Sequence, residues 1–302
     1  MGTLAQRDGV RRLERRRHVD WAAAGRARPA ANSSDSAEAS GDPALQEQIA
    51  VLAAQRDTLQ RALFDAAQVQ RRLSGPRQLI RGDFEIAGES FPAQYVSGDL
   101  LATFDVGEHT LLAIGDICGK GLFAGMWFTH LAGLIRVFAR DCRDPAKIAE
   151  AINCHLAGLP AEPPLATLFL GCLDAARGEL TYCNAGHPAP LLLRAEGKME
   201  QLEAGGPVLG AVAGVPFTRG RTLLAPGDTL VGYSDGVVEC RNRHNQDFEA
   251  ERLAAAAADA RRSAGAILFS VLGATQDFAA AQPRHDDIAL LVVHRRAAQI
   301  AS

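Results

Sequence analysis

The sequence predicts an α+β domain of antiparallel strands covered by helices. Short apolar runs bounded by turn residues, as at Phe84–Phe91 and Ile288–His294, are typical of strands. Loops of hairpin length, such as Ala195–Lys198, favour antiparallel pairing. Helices are expected in two groups, within 122–159 and 249–280. We therefore expect the strands to form one or two sheets with helices on their faces.

Strands and helices can be assigned in order from the hydrophobic pattern. Residues 84–91 alternate between apolar and polar, and a Gly-Glu-His turn at 107–109 separates the next two runs. The expected strands are Phe84–Phe91, Leu100–Val106, Thr110–Ile117, Ala166–Leu173, Glu179–Asn184, Pro190–Arg194, Phe217–Leu224, Thr229–Tyr233 and Ile288–His294. The expected helices of this domain are Leu122–Arg140, Pro145–Leu159, Glu249–Ala260 and Ala264–Ala280.

A heptad repeat precedes the domain. The two seam positions are occupied by Leu45, Leu52, Leu59, Ala66 and Leu73, and by Ile49, Arg56, Leu63 and Gln70. This narrow stripe predicts a parallel dimeric coiled coil, in which polar seam residues weaken the pairing but fix its register. A single amphipathic helix packed on its own domain is the alternative. Pro43 suits the first helical turn, and Ser74-Gly75-Pro76 ends the helix.

The composition of the chain predicts its division into segments and argues against nucleic-acid-binding and membrane proteins. We expect a disordered basic and polar tail at 1–42, a coiled-coil or switch helix at 43–75, a globular domain at 76–296 and a short tail at 297–302. The net charge of −3 gives no bias toward nucleic acid or an anionic membrane. We find no signal peptide and no apolar run near the ~20 residues of a membrane span. These features predict a cytoplasmic protein.

The segment around Asp116 suggests a binding site. Asp is rare in strands and costly to desolvate, so a metal ion or a charged substrate is the expected compensation. A P-loop is excluded, because only three residues separate Gly115 from Gly119. Two alternatives remain: a dinucleotide fingerprint at Gly119, Gly121 and Ala124, and a plain strand–turn–helix in which the Asp is a cap.

Other aspartates share this position between an apolar strand and a turn. They are Asp99, Asp235 and the pair Asp286 and Asp287. If the strands bring them together, the like charges need cations to remain ionised. Carboxylate oxygens suit Mg²⁺ or Mn²⁺, and two such ions roughly 3.5–4 Å apart can activate water toward a phosphoryl group. Spacing indicates no nucleophilic Ser or Cys beside a His, which favours metal-activated water.

Several blocks of the sequence resemble the metal-dependent protein phosphatase (PPM) superfamily, specifically its bacterial SpoIIE/RsbU-type serine phosphatases. In chain order they are Gln68–Leu73, Ser97–Asp99, Gly115–Gly121, Ala166–Leu168, Asn184–Pro188, Tyr233–Glu239 and Asp286–Ile288. The resemblance implies an antiparallel β-sandwich flanked by helices in the order α-β-β-α, with metals in a cleft at one edge. It also implies hydrolysis of phosphoserine or phosphothreonine on a protein, with two Mn²⁺ or Mg²⁺ ions as cofactors.

The resemblance also implies roles for individual residues. The implied metal-site and catalytic carboxylates are Asp99, Asp116, Asp235 and Asp286, and the backbone carbonyl of Ile117 is a further implied ligand. Further candidates near the site are Asp287, Lys120 and His187. Three residues depart from the family pattern, since Ala102, Cys118 and Ala289 stand where the family usually has Asp, Ser and Thr.

The resemblance further implies partners. The expected substrate is a phosphorylated regulatory protein, typically an anti-sigma-factor antagonist of the STAS class. A separate upstream activator is expected to act on the helix at 43–75, through which the chain would form a homodimer. No nucleic-acid or membrane partner is expected. Because Ala102 removes a carboxylate that would orient metal-bound water, a catalytically weak signalling scaffold that binds a partner without turnover is the alternative.

Overall fold

A computed structural model describes residues 42–160, 163–260, 263–280, 282 and 286–297. The chain divides into two compact units, Met1–Leu52 and Ala53–Ser302. The described part of the first unit is Asp42 and the beginning of helix α1, Pro43–Ser74. The expected tails lie outside the described residues, apart from residues 42 and 297. The proposed domain boundaries and the coiled-coil dimer therefore stay predictions.

The second unit contains the predicted mixture of strands and helices. Its strands are β1 Gln78–Arg81, β2 Phe84–Phe91, β3 Leu100–Val106, β4 His109–Ile117, β5 Ala166–Asp174, β6 Glu179–Ala185, β7 Leu191–Leu193, β8 Met199–Gln201, β9 Gly205–Gly206, β10 Gly220–Leu223, β11 Thr229–Tyr233 and β12 Ile288–Arg295. Its helices after α1 are α2 Gly121–Asp141, α3 Pro145–Ala157, α4 Asp235–Val238, α5 Glu249–Asp259 and α6 Ala264–Ala279. The short elements β1, β8, β9 and α4 have no predicted counterpart, because so few residues carry little periodicity.

The strands form two sheets that pack face to face. The first sheet has the order β1-β2-β12-β11-β7-β8, and the second has the order β10-β6-β5-β4-β3 with β9 added beside β6. All the neighbours are antiparallel except β9, which runs parallel to β6. One apolar layer fills the space between the sheets, α2 and α3 cover the second sheet, and α5 and α6 cover the first. The predicted α-β-β-α sandwich is thereby confirmed.

Strand β4 explains how the fold delivers a carboxylate to the end of this inner layer. It is buried on both faces, which accounts for its continuous apolar sequence. Leu112 and Ile114 lie in the layer between the sheets, whereas Leu111 and Ala113 lie in the layer under the helices. Because successive side chains of a strand alternate, Asp116 continues the inner series and reaches the end of the inter-sheet layer.

Two other interpretations of the Asp116 segment, a dinucleotide-binding fingerprint and a strand–turn–helix capped by the Asp, are wrong. Strand β4 pairs antiparallel with β3 and β5, and α2 is followed by helix α3 where a dinucleotide-binding unit needs another parallel strand. Asp116 is not a helix cap either, because the residue that precedes α2 is Lys120 and no side chain caps this helix.

Helix α2 also corrects the expectation about membrane spans. Among the described residues it is the helix whose length and apolar composition would allow it to cross a bilayer. Its buried residues include Phe128, Leu131 and Ile135, which belong to the apolar layer on the second sheet. The packing of a core helix therefore accounts for its apolar sequence.

Candidate metal centre

Asp116 lies one residue before the end of β4, opposite Thr167 of β5. Its backbone N–H donates to Thr167 Oγ1 at 3.0 Å, and this hydroxyl lies 2.8 Å from His187 Nδ1. Burial lowers the pKa of His187 to about 3, against a smaller opposing effect of the Tyr233 carbonyl. The neutral, 5% exposed imidazole therefore supports the end of β4 through Thr167. No role for Thr167 is evident from the sequence, because strand pairing decides its place.

Asp99 is presented by a turn that precedes β3. Its N–H donates to Ser97 Oγ at 3.1 Å, and Ser97 Oγ donates to Asp287 Oδ2 at 2.9 Å. The N–H of Gly98 donates to the same oxygen at 2.7 Å, while the N–H of Ala93 donates to Asp287 Oδ1 at 2.6 Å. Asp287, one of the weaker candidates from the sequence, thus uses both carboxylate oxygens to hold the loop that carries Asp99.

Gly98 lets this turn approach the end of β4. A Cβ at position 98 would lie 3.2 Å from the Ile117 carbonyl oxygen and 3.5 Å from Asp116 Oδ1. It would also lie 3.2 Å from the Cβ of Ala124 in α2. A side chain would therefore occupy space beside the carbonyl of Ile117, which the resemblance implies as a ligand.

Asp235 is the first residue of α4, the single helical turn that follows β11. Its Oδ1 accepts a hydrogen bond from the N–H of Gly236 at 2.8 Å. A Cβ at position 236 would overlap the carbonyl oxygen of Asp287, so this glycine allows α4 to lie against the start of β12. Ser234 extends the pairing, since its N–H donates to the Ala289 carbonyl and its Oγ accepts from the Ala289 N–H.

These three segments bring three carboxylates together. Asp99, Asp116 and Asp235 each offer an oxygen within 4.8 Å of the others. Asp99 is 2% exposed, and its Oδ2 is buried with no hydrogen-bond partner among the described residues. Burial raises the pKa of Asp99 to about 8, opposed by a hydrogen bond with the Ser234 side chain and reinforced by the neighbouring carboxylates. Burial and then the neighbouring carboxylates raise the pKa of Asp116 to about 6. The pKa of Asp235 is raised for the same reasons.

The arrangement fits a divalent cation. Three neighbouring carboxylates cannot all remain ionised without positive charge beside them, and the buried Asp99 Oδ2 has an unused lone pair. Oxygen donors of this kind suit Mg²⁺ and Mn²⁺, whereas structural zinc prefers Cys and His. The residues present therefore fit the ions that the resemblance implies, and Asp99, Asp116 and Asp235 are the side chains that would hold them.

Asp286 lies outside this group of three and forms its rim. Its side chain is 53% exposed, and Oδ2 accepts a hydrogen bond from Lys120 Nζ at 3.2 Å. Its charge contributes to the raised pKa values of Asp116 and Asp235, so it faces the cluster electrostatically. Asp286 and Lys120 together form an exposed, charged edge of the site.

The departures from the family pattern occupy different surroundings. Ala102 is 1% exposed and belongs to the apolar layer under α2. Ala289 is fully buried in β12, where its backbone pairs with Ser234. Cys118 is exposed at the loop after β4. No carboxylate occupies position 102 to assist the cluster.

The fold is that of solved PP2C-type phosphatase domains. The SiaA-PP2C domain of Pseudomonas aeruginosa superimposes with a TM-score of 0.69 at 21% identity, covering 80% of this chain and 99% of that one. The RsbU and RsbW domains of Rv1364c from Mycobacterium tuberculosis give 0.61 at 28% identity, covering 71% and 60%. The PstP catalytic domain, solved in complex with 2 manganese ions, gives 0.52 at 15% identity, covering 70% and 97%.

The family model of stage II sporulation protein E (SpoIIE) matches residues 107–296, and the chain belongs to this family. It is 32% identical to Protein IcfG of Synechocystis sp. over 190 residues, which are 54% of this chain and 30% of IcfG. It is 26% identical to phosphoserine phosphatase RsbU of Bacillus subtilis over 239 residues, which are 76% of this chain and 69% of RsbU. The predicted membership of the SpoIIE/RsbU branch of the PPM superfamily is thereby confirmed.

Proposed function

We propose that this chain is a metal-dependent protein phosphatase that hydrolyses phosphoserine or phosphothreonine on a regulatory protein in bacterial signalling. The observation that carries the proposal is the buried Oδ2 of Asp99, which lies within a cluster of three carboxylates and has no hydrogen-bond partner in the described part of the chain. Such a cluster opposes folding unless a cation balances it, so its presence calls for a functional reason. The likeness to a phosphoserine phosphatase, RsbU, supports a phosphorylated protein as the substrate class.

Two Mn²⁺ or Mg²⁺ ions are the proposed cofactors. The 2 manganese ions of the PstP domain support this number and class of ion. Asp99, Asp116 and Asp235 would hold them, with Asp286 and the Ile117 carbonyl as further ligands. When bound, such ions supply an activated water molecule and positive charge opposite the phosphoryl oxygens.

Other residues of the chain would position the metal-site carboxylates and leave the site accessible to the substrate. Asp287 fixes the turn that carries Asp99, and Thr167 fixes the end of β4 that carries Asp116. The exposed edge formed by Asp286 and Lys120 leaves the site open to a phosphate carried on a protein, and the Lys120 ammonium adds positive charge there. In the reaction, oxygen from water joins phosphorus, and the serine oxygen leaves with a proton.

The proposed partners follow from the same family membership. The substrate would be a phosphorylated regulator of the STAS class, and a separate activator would act on the helix at 43–75. The Rv1364c structure, in which an RsbU domain accompanies an RsbW domain, supports a regulatory circuit of this kind. We further propose a homodimer through α1 and a cytoplasmic location.

A second candidate is a signalling scaffold with little turnover. The observation that favours it is Ala102, which is buried among apolar side chains at a position where the resemblance expects an Asp. Metal binding without hydrolysis of a true substrate would be the mark of this scaffold.

The test is phosphate release from a phosphoserine peptide and from p-nitrophenyl phosphate with Mn²⁺, with and without chelator. Wild type would be compared with Asp116→Ala, Asp235→Ala and a control, Asp83→Asn, whose carboxylate is exposed outside the site. We expect metal-dependent turnover in wild type and the control and none in the two site variants. Calorimetric titration with Mn²⁺ separates the candidates: binding without turnover favours the scaffold, and absence of both contradicts the metal centre.

A further inference from the structure

Gln70 is the buried residue of α1. Among the 32 residues of this helix it alone is buried, with 7% of its surface exposed. Glutamine is rarely buried unless its amide is hydrogen-bonded. It also stands at a seam position of the heptad repeat, where a coiled coil favours an apolar side chain. Its burial within the second unit therefore requires a local explanation.

The amide of Gln70 pairs with the backbone of the turn that carries Asp99. Its Nε2 donates to the Ser97 carbonyl at 2.9 Å, and the Ser97 N–H donates to Gln70 Oε1 at 3.1 Å. Both backbone groups of Ser97 are thereby satisfied by one side chain. Nε2 also lies 3.4 Å from the carbonyl oxygen of Gly125 in α2. One amide thus joins α1, the Asp99 turn and α2.

Gly125 provides the space for this contact. A Cβ at position 125 would lie 3.2 Å from Gln70 Nε2 and 3.1 Å from the Cβ of Val96. Glycine inside a helix is less favourable than alanine, so a helix gains nothing locally from Gly125. The close approach of the Gln70 amide and the loop before Asp99 explains the glycine.

The Asp99 turn therefore has two anchors on opposite sides of Ser97. The carboxylate of Asp287 holds the Ser97 hydroxyl, and the amide of Gln70 holds the Ser97 backbone. We infer that Gln70 is a positioning residue of the metal centre, which keeps the Asp99 carboxylate within the cluster by fixing the backbone of Ser97. This inference rests on the proposed function, since it assumes that the cluster binds metal.

The test compares wild type with Gln70→Met and with a matched control, Gln55→Met, in the full chain. Methionine keeps the length of glutamine but removes the hydrogen bonds to Ser97 and Gly125, and Gln55 is exposed on the same helix. We expect the Mn²⁺ affinity of Gln70→Met, measured by calorimetric titration, to fall on the order of tenfold, as for other residues that orient metal ligands. In steady-state kinetics at a fixed Mn²⁺ concentration, kcat should fall more than KM changes. The control should match wild type in both measurements.

A second variant keeps the test valid if Gln70→Met does not fold. Gly125→Ala raises helix propensity while its methyl group crowds the Gln70 amide. We expect it to fold, as checked by thermal melting in chelator, and to bind Mn²⁺ more weakly than wild type. Unchanged Mn²⁺ affinity in the folded variants would overturn the positioning role and leave the phosphatase proposal standing. Failure of wild type itself to bind Mn²⁺ would instead overturn the proposed function.

Discussion

Acidic residues lie at both ends of β11, in opposite surroundings. Asp228, before the strand, is 1% exposed, and its carboxylate accepts hydrogen bonds from the backbone N–H groups of Ala195 and Ala225 at 2.9 and 2.8 Å. It also accepts from Arg194 Nη1 at 2.9 Å. This carboxylate ties the β7–β8 hairpin to the turn before β11, and its charge is balanced by the chain itself.

At the other end of β11, Asp235 joins a cluster that lacks such compensation. The equally buried Asp99 has two further carboxylates within 4.8 Å, and its Oδ2 has no hydrogen-bond partner among the residues that the structure covers. The comparison shows that burial of an aspartate does not by itself indicate function. A buried carboxylate with an arginine and two N–H donors is structural, whereas a buried carboxylate beside two like charges fits a cation site.

The largest effect on stability is expected from removing the carboxylate of Asp228. Asp228→Ala removes the acceptor of two backbone N–H groups and one of the acceptors of Arg194, which should lower the free energy of unfolding by about 3 kcal/mol. Urea denaturation monitored by circular dichroism measures this loss, with Asp83→Ala as an exposed control. The Mn²⁺ affinity of the folded variant should equal that of wild type, because the substitution lies at the opposite end of β11. A loss below about 1 kcal/mol would show that Asp228 is not a structural anchor.

A substitution in the carboxylate cluster is expected to raise the stability of the metal-free protein instead of lowering it. Asp99→Asn replaces a carboxyl group whose raised pKa opposes folding of the metal-free protein, so the variant should gain about 1 kcal/mol of stability relative to wild type in chelator. Added Mn²⁺ should raise the melting temperature of wild type but not that of the variant. Scanning calorimetry of both proteins, with and without Mn²⁺, measures these shifts. A variant that is less stable than wild type in chelator would mean that the Asp99 carboxylate has partners that balance it.

The smallest expected effect on stability comes from Glu200, which pairs with Arg194 and Lys198 beside Asp228, and this effect depends on pH. Hydrogen bonds from Arg194 and Lys198 hold the pKa of Glu200 at about 2, below its ordinary 4.5. Because the pKa is lowered in the folded state, this stability is present above pH 4.5 and is lost as the pH falls toward 2. The Glu200 side chain is 31% exposed, and solvent screening limits the contribution to about 1 kcal/mol or less.

Glu200→Gln should therefore destabilise the protein at neutral pH and have little effect near pH 2. Urea denaturation of wild type and variant at several pH values would measure the difference. Glu196→Gln, an exposed residue of the same hairpin, is the matched control and should match wild type at each pH. A difference that stays constant with pH would show that the Glu200 charge is not responsible.

The sequence by itself determined the fold class and most of the long elements. Strands such as β4 and β12 are recognisable because burial on both faces requires a continuous apolar run, and such runs are local. The position of Asp116 at the end of one run already indicated a charged site. Resemblance of short motifs in a fixed order then indicated the phosphatase superfamily, without any knowledge of contacts.

Only the tertiary structure decided the role of each polar residue in and around the site. Asp286 and Asp287 are neighbours in sequence, yet one is an exposed rim residue and the other holds the Asp99 turn. Thr167 and Gln70 acquire their roles from strand pairing and helix docking, over separations of 51 and 27 residues. Local spacing cannot specify such contacts, because hydrogen bonds and like-charge repulsion depend on distances that folding sets between remote segments.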